Sequence, residues 1–239
     1  ATTPRPVPSR PLSPQRPPFC PAKRLGEPPA AELRGRGVAA GVAALLQAST
    51  GRVLLTRRAR SLDTFPGVWV PPGEENRGAG SLGLVAAGLR ELEEETGLRL
   101  GDGTFSWRTL GLWESIYPPM LSWGPPRRHH IVTYLLLLSS ESHQQLEGRM
   151  CPSESEVSAY AWLEPDVLAA VAATEDGDER VGSVPGVLPA TVGITELSNG
   201  SSGPAQLPTA TLLSAAPASG GDVERVSTGT KFALGLWLE

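Results

Sequence analysis

One stretch of the sequence, residues 84–97, restricts the fold most strongly because it combines a helical apolar stripe with a proline-free acidic surface. Its stripe residues recur at steps of four, three and four, the spacing of one face of an α-helix: Val85, Leu89, Leu92 and Thr96. Gly97 follows at once, where a left-handed helix cap favours glycine. The stretch therefore predicts an amphipathic helix over residues 84–96 that packs one face on a core.

The glutamates of this helix raise an electrostatic question. Glu91, Glu94 and Glu95 are three and four residues apart, so their carboxylates are expected to converge on one patch, whereas Glu93 points about 100° away. Like charges at this spacing repel. Either the patch is a solvated face relieved by neighbouring arginines, or the carboxylates are oxygen ligands for a hard divalent cation such as Mg²⁺ or Mn²⁺.

The segments around this helix are strand-like and are separated by Gly, Pro and polar residues. Ser49-Thr50-Gly51 divides the first two runs, as in a β-hairpin. Residues 165–176 open with proline and read as a second helix. These patterns predict an α/β domain with a mixed sheet over residues 36–173, with strands in GVAAGVAALLQA, GRVLLTRRA, GVWVPPG, FSWRTLGLWESIY, HHIVTYLLLLSS and VSAYAWLE.

The ends of the chain differ from this domain in composition. Residues 1–35 are rich in proline and arginine and are expected to be disordered. Residues 174–225 are small, polar and poor in aromatics, and are interpreted as a low-complexity linker. Residues 226–239 contain apolar side chains, including Phe232 and Trp237, that predict a C-terminal docking helix.

Charge and cysteine content narrow the class of protein. The net charge is −4, which gives no electrostatic basis for DNA or broad membrane-surface binding, and no apolar run approaches the ~20 residues of a membrane span. The basic, proline-rich start lacks the apolar segment of a secretory signal. Cys20 and Cys151 are too few for a disulfide framework and lack metal-ligand spacing. We expect an intracellular, cytoplasmic protein, and no feature indicates an oligomeric state.

The order of residues in the acidic helix resembles the second half of the Nudix box, Arg-Glu-aliphatic-x-Glu-Glu-x-Gly-aliphatic. The matching residues are Arg90, Glu91, Leu92, Glu94, Glu95, Gly97 and Leu98. The resemblance implies a Nudix-type α/β/α sandwich with a mixed sheet. It also implies a hydrolase of phosphoric anhydride bonds that cleaves a nucleoside diphosphate linked to another group.

The first half of the box departs from the family pattern. Leu82 stands where the family has glutamate, and Asn76 stands where it has glycine. Glu74 and Glu75 are nearby acids that could supply a carboxylate in place of the missing glutamate. The departure leaves a second hypothesis open, a catalytically weakened Nudix domain that acts as a nucleotide-binding or interaction module.

The resemblance assigns roles within the box. It makes Glu94 and Glu95 the principal ligands of Mg²⁺ or Mn²⁺, and Glu91 a ligand or a water-orienting base. Arg90 is expected to orient a box carboxylate. Many Nudix enzymes recruit a further acid from a loop outside the box, and Glu156 is the candidate catalytic residue of this kind.

Further candidates lie outside the box, each with a structural alternative. Glu154 precedes the same strand as Glu156. It could serve as the further acid, or it could be a solvated loop residue. His129 and His130 follow a basic loop. They could contact phosphates, or they could have a structural role at the start of a strand. Three aromatic residues could stack on a nucleobase or pack in the core: Trp113, Tyr117 and Trp123.

Segments at both ends of the chain, among them RPPFCP and RVSTGTKFAL, are similar to an animal member of the family. That similarity implies the 5′ end of 7-methylguanosine-capped RNA as the substrate, cleaved to release 7-methyl-GDP. Dinucleoside polyphosphates, nucleotide sugars and coenzyme A derivatives remain open as substrates, although the extra upstream motif of the coenzyme A hydrolases is not found.

Overall fold

A computed structural model describes residues 39–76, 83–118, 128–174, 187–217 and 223–239. Its centre is a nine-stranded sheet in the order β5-β6-β1-β2-β7-β8-β9, with β3 paired to β2 and β4 paired to β1. β1 and β6 run parallel and the other strand pairs are antiparallel. The strands are β1 Ala39–Gln47, β2 Val53–Arg58, β3 Trp69–Val70, β4 Gly73–Asn76, β5 Phe105–Tyr117, β6 Arg128–Ser139, β7 Val157–Leu163, β8 Thr191–Ser198 and β9 Ser201–Pro208.

Helices cover both faces of the sheet. They are α1 Leu84–Thr96, α2 His143–Glu147, α3 Pro165–Ala172, α4 Thr209–Leu212 and α5 Thr228–Trp237. Alternate residues of β1 face opposite sides, as the two-residue period of a strand requires. Leu46 therefore joins Leu92 of α1 in one core cluster, whereas Leu45 joins Val167 of α3 and Leu234 of α5 in the other. This arrangement confirms the predicted α/β/α sandwich with a mixed sheet.

The predicted hairpin and the helix over residues 84–96 are both present. β1 and β2 pair in antiparallel fashion through a turn in which Gly51 has φ 83°, and α1 ends at Gly97, which has the left-handed φ of 73°. A Cβ at Gly97 would lie only 2.9 Å from the Cys151 amide nitrogen. Glycine is therefore required there by both backbone conformation and space.

The linker prediction for residues 174–225 is wrong where the structure describes that segment. β8 and β9 form a hairpin that extends the sheet beyond β7, and α4 follows it. Val192 and Ile194 are buried while Thr191 and Gly193 are exposed, so β8 has the alternation of a half-covered strand. Small and polar residues at the outward positions made this alternation resemble low-complexity sequence.

A helix, α5, lies where the sequence predicts a C-terminal helix. Phe232 stacks near Trp113, with ring centroids 5.1 Å apart, and the Trp237 indole donates to Gln47 at 2.9 Å. Before α5, Val226 pairs with Trp69 of β3. The predicted disordered segment, residues 1–35, lies outside the described residues. No helix in the described part of the chain is long and apolar enough to cross a membrane.

Candidate active site

The acidic helix presents two of its glutamates to the protein interior. Glu91 and Glu95 are 4% and 8% exposed, whereas the side chain of Glu94 is 55% exposed. Glu93 also lies outside and pairs with Arg99. The single patch predicted for Glu91, Glu94 and Glu95 is therefore divided, with two buried carboxylates one helical turn apart and the third at the surface.

The burial of these glutamates follows from a close approach between α1 and the sheet. Residues facing the sheet are Ala87, Gly88, Glu91, Leu92, Glu95 and Thr96. A Cβ on Gly88 would lie 3.0 Å from Leu135 Cδ1, so a larger residue would crowd this contact. The apolar stripe expected from Leu89 and Leu92 is thus rotated toward Ala87 and Gly88, and Glu91 and Glu95 share the buried face.

Glu95 is held by two donors from neighbouring strands. The Gly73 amide donates to its Oε1 at 2.9 Å, and the Thr56 hydroxyl lies 3.4 Å from Oε2. A Cβ at Gly73 would lie 2.3 Å from the Val42 carbonyl oxygen, so only glycine fits where this amide is presented. The Pro71-Pro72-Gly73 turn thereby aims a backbone donor at the helix.

Burial raises the pKa of Glu95 to about 7, well above the usual value of a glutamate. The Gly73 hydrogen bond and the charge of Arg58 oppose this increase. Repulsion from Glu156 and Glu91 adds to it. Local donors therefore do not fully compensate the ionised form of Glu95, which is the electrostatic condition that a bound cation would relieve.

Arg90 lies between two of the box carboxylates. Its Nη2 is 2.8 Å from Glu91 Oε1, and its Nε is 3.6 Å from Glu94 Oε1. The arginine side chain is 44% exposed, so its contribution to stability is small. Its geometric effect is to connect the buried Glu91 with the exposed Glu94.

The loop at residues 151–156 is fixed to the end of α1 by main-chain hydrogen bonds. The Cys151 amide donates to the Thr96 carbonyl at 2.9 Å, and the Ser153 amide donates to the Glu95 carbonyl at 3.0 Å. The Glu156 carbonyl accepts from the Ala59 amide at 2.8 Å. Glu156 is exposed yet close enough to raise the pKa of Glu95, so the structure brings these two residues together.

The candidates outside the box have different surroundings. Trp113 is buried against Phe232, so of the two alternatives left open for it the structure shows packing in the core and not stacking on a nucleobase. Glu154 accepts from the Gly200 amide at 2.8 Å, in the turn between β8 and β9. His130 is buried, while His129 lies 2.7 Å from Glu114, a buried acid that the sequence did not single out.

Several sequence predictions fall on positions whose side chains are not described. Leu82 and Trp123 lie outside the described residues, as does the side chain of Tyr117. Asn76 belongs to β4, with Glu74 and Glu75, and pairs with Ala40 of β1.

The donor chemistry of the acidic helix fits a hard divalent cation, since carboxylate oxygens are its preferred ligands. Among the described residues, no three acidic, histidine or cysteine side chains already converge as a metal-binding group. Magnesium commonly binds through one or two carboxylates, with waters and substrate phosphates completing its shell. Glu91 and Glu95 meet that smaller requirement in chemistry and in position on the helix.

The raised pKa of Glu95 makes a prediction about stability in metal-free buffer. Its pKa is about 7 in the folded chain and near 4.5 when unfolded, so the folded state binds more protons between these values. The contribution of Glu95 to stability is therefore greatest below pH 4.5 and is lost as pH rises toward 7. We therefore compare the free energies of unfolding of Glu95→Gln and wild type at two pH values. Between pH 5 and pH 8, the difference should shift in favour of the variant by up to about 3 kcal/mol.

Urea unfolding of both forms in EDTA, at pH 5 and pH 8, measures this difference. Glu93→Gln is the matched control, because Glu93 lies on the outer side of α1, and it should show no comparable pH dependence. Parallel stability curves for wild type and Glu95→Gln would contradict a protonated Glu95 in the folded protein.

The sequence belongs to the Nudix family, since it matches the NUDIX domain over residues 35–182. It is 52% identical over 231 residues to the m7GpppN-mRNA hydrolase NUDT17 of Xenopus laevis, covering 94% of this chain and 75% of the relative. It is 55% identical over 235 residues to the Homo sapiens protein of the same name, covering 94% and 70%. Among solved structures, the NUDIX domain of Shewanella oneidensis NrtR, complexed with ADP ribose, is 20% identical with a TM-score of 0.42, covering 62% of this chain and 86% of that one.

Proposed function

We propose that this chain hydrolyses the 7-methylguanosine cap of RNA and releases 7-methyl-GDP. The supporting observation is the combination of the buried Glu91–Glu95 pair with identities of 52% and 55% to proteins named m7GpppN-mRNA hydrolase. The reaction breaks a phosphoric anhydride bond with water. It requires neutralisation of charge on the phosphate oxygens and a positioned water molecule.

Divalent cations are the cofactors of this family, and here Mg²⁺ or Mn²⁺ would be held by Glu91 and Glu95, with Glu94 as a further ligand. When bound, the ion supplies charge neutralisation for the phosphate chain. Arg90 orients Glu91 and Glu94 through its two contacts. Gly73 fixes one oxygen of Glu95 with its amide.

Glu156 is the proposed general base. Its loop is tied to the Glu95 and Thr96 carbonyls, so its position relative to α1 is fixed by backbone hydrogen bonds rather than by side-chain packing. A carboxylate at this point can accept a proton from a water that attacks the phosphate. We further propose an intracellular, cytoplasmic location for the protein, in keeping with an exposed free Cys151.

Incubation of the chain with RNA that carries a labelled 7-methylguanosine cap tests the proposal. We expect 7-methyl-GDP as the product, formed with Mg²⁺ or Mn²⁺ and absent with EDTA. 7-Methyl-GMP as the product would place the cleavage at a different phosphate. Cap binding without turnover at any metal concentration would instead favour the nucleotide-binding module suggested by Leu82 in place of the family glutamate.

A further inference from the structure

We propose that Glu114, positioned by His129, forms the subsite that reads the Watson–Crick edge of a guanine or 7-methylguanine base. This inference rests on the proposed function, since it names the base-recognition residue for that substrate. Glu114 is 6% exposed, and its Oε1 lies 2.7 Å from His129 Nε2. Neither residue belongs to the Nudix box.

Strand register puts these side chains on the side of the sheet that carries the acidic helix. In the β5–β6 pair, Glu114 lies opposite Ile131. Ile116 lies opposite His129 in the same pair. Opposite residues and residues two apart share a face, so all four side chains are on one face. Leu135, also on this face by the two-residue period of β6, contacts Gly88 of α1.

Sheet order gives the distance from this subsite to the metal-binding glutamates. Around the start of β1, the neighbouring strands run β5-β6-β1-β4. Three strand spacings separate β5 from β4 by ~14 Å across the sheet, and Gly73 lies ~10 Å further along the strands than Glu114, which gives a separation of ~17 Å. β4 begins at Gly73, whose amide binds Glu95. This separation is comparable with the length of an extended nucleoside diphosphate, which would have its base near Glu114 and its phosphates near α1.

The chemistry of a buried carboxylate selects a particular base. A carboxylate accepts hydrogen bonds and, when ionised, donates none. Guanine presents adjacent N1–H and N2–H donors, whereas adenine presents an N1 lone pair that a carboxylate repels. Methylation at N7 gives the base a positive charge, which adds attraction to Glu114.

The surroundings of Glu114 suit the flat faces of a base. Ile116 and Ile131 are half-buried beside Glu114 and His129, so they offer apolar surface around the polar pair. A ligand pocket with mostly apolar walls and a few placed polar groups is the usual composition of a nucleotide-base site. His129, whose side chain is 31% exposed, contacts Glu114 Oε1 and so restricts the rotamer of the carboxylate.

Equilibrium binding in EDTA tests the subsite without hydrolysis. Wild-type chain is titrated calorimetrically with 7-methyl-GDP, with 7-methylinosine diphosphate, which lacks the 2-amino group, and with ADP. We expect 7-methyl-GDP to bind at least about tenfold more tightly than either, because each of the others loses a charge-assisted hydrogen bond. Equal affinities for 7-methyl-GDP and 7-methylinosine diphosphate would overturn the proposal, and so would absence of 7-methyl-GDP binding at millimolar concentration.

A variant gives the complementary result. Glu114→Gln places an amide donor where guanine also donates, so its preference for 7-methyl-GDP over ADP should fall to within about threefold. Glu141→Gln is the matched control, because Glu141 follows the end of β6, whereas His129 lies at its start, and it pairs with Arg149. This variant should keep the wild-type preference. An unchanged preference in a folded Glu114→Gln would overturn the subsite. Because these readings do not depend on turnover, a chain that discriminates the bases but does not cleave capped RNA would refute the proposed function alone.

Discussion

Glu95→Gln is expected to lose more than about tenfold of its turnover on capped RNA while remaining folded, which corresponds to a barrier increase of at least ~1.4 kcal/mol. The substitution keeps the shape of the side chain and an oxygen that can accept from the Gly73 amide. It removes the negative charge that would neutralise a bound cation. The loss should therefore appear in kcat at saturating substrate and should not be explained by unfolding.

Glu94→Gln should also lose more than about tenfold of turnover, through removal of an exposed ligand. Glu93→Gln is the matched control for both variants, because it makes the same chemical change on the outward side of α1 beside Arg99. It should retain nearly all activity. Full activity in Glu95→Gln, or equal losses in all three variants, would show that the helix does not hold the metal in the way proposed.

Removal of residues 223–239 is expected to have the largest effect on stability. The deletion uncovers Trp113 and Trp69, both of which are buried in the intact chain. It also removes the Trp69 amide bond to the Arg225 carbonyl at 2.8 Å and the Ser227 amide bond to the Trp69 carbonyl at 3.0 Å. Each large apolar side chain removed from a core typically lowers the free energy of unfolding by about 2–5 kcal/mol. The loss of several together should therefore abolish cooperative unfolding.

Thermal unfolding followed by circular dichroism measures the effect of this deletion. Removal of Leu238 and Glu239 alone is the control, since both are exposed beyond the end of α5, and should leave the midpoint within about 2 °C. A midpoint that is also unchanged after the longer deletion would mean that α5 contributes nothing to the core around Phe232.

Local sequence signals predicted the elements that have strong periodicity and clear punctuation. The spacing of Leu89 and Leu92 with Gly97 gave the bounds of α1, and alternating or continuous apolar runs located β1, β2 and β5 to β7. β8 and β9 were missed because their outward residues are small and polar. β4 was missed because its four residues, Gly73–Asn76, have no apolar pattern.

The geometry of the candidate site depends on contacts between distant segments, which local patterns do not specify. The division of the acidic patch follows from the fit of Gly88 against Leu135, 47 residues apart in the chain. The donor to Glu95 comes from Gly73 on a different element. The Glu114–His129 pair exists because of the β5–β6 register. The sequence singled out His129 only as a possible phosphate contact, and it did not single out Glu114.

Direct measurement of Mn²⁺ binding is the clearest test of the central claim that the buried glutamates hold a divalent cation. Electron paramagnetic resonance of free Mn²⁺ gives the affinity for the wild type, Glu95→Gln and Glu93→Gln without any substrate. We expect the wild type and Glu93→Gln to bind Mn²⁺ with the same affinity, and Glu95→Gln to bind it at least about tenfold more weakly. Equal Mn²⁺ affinity in all three proteins would contradict the metal site proposed on α1.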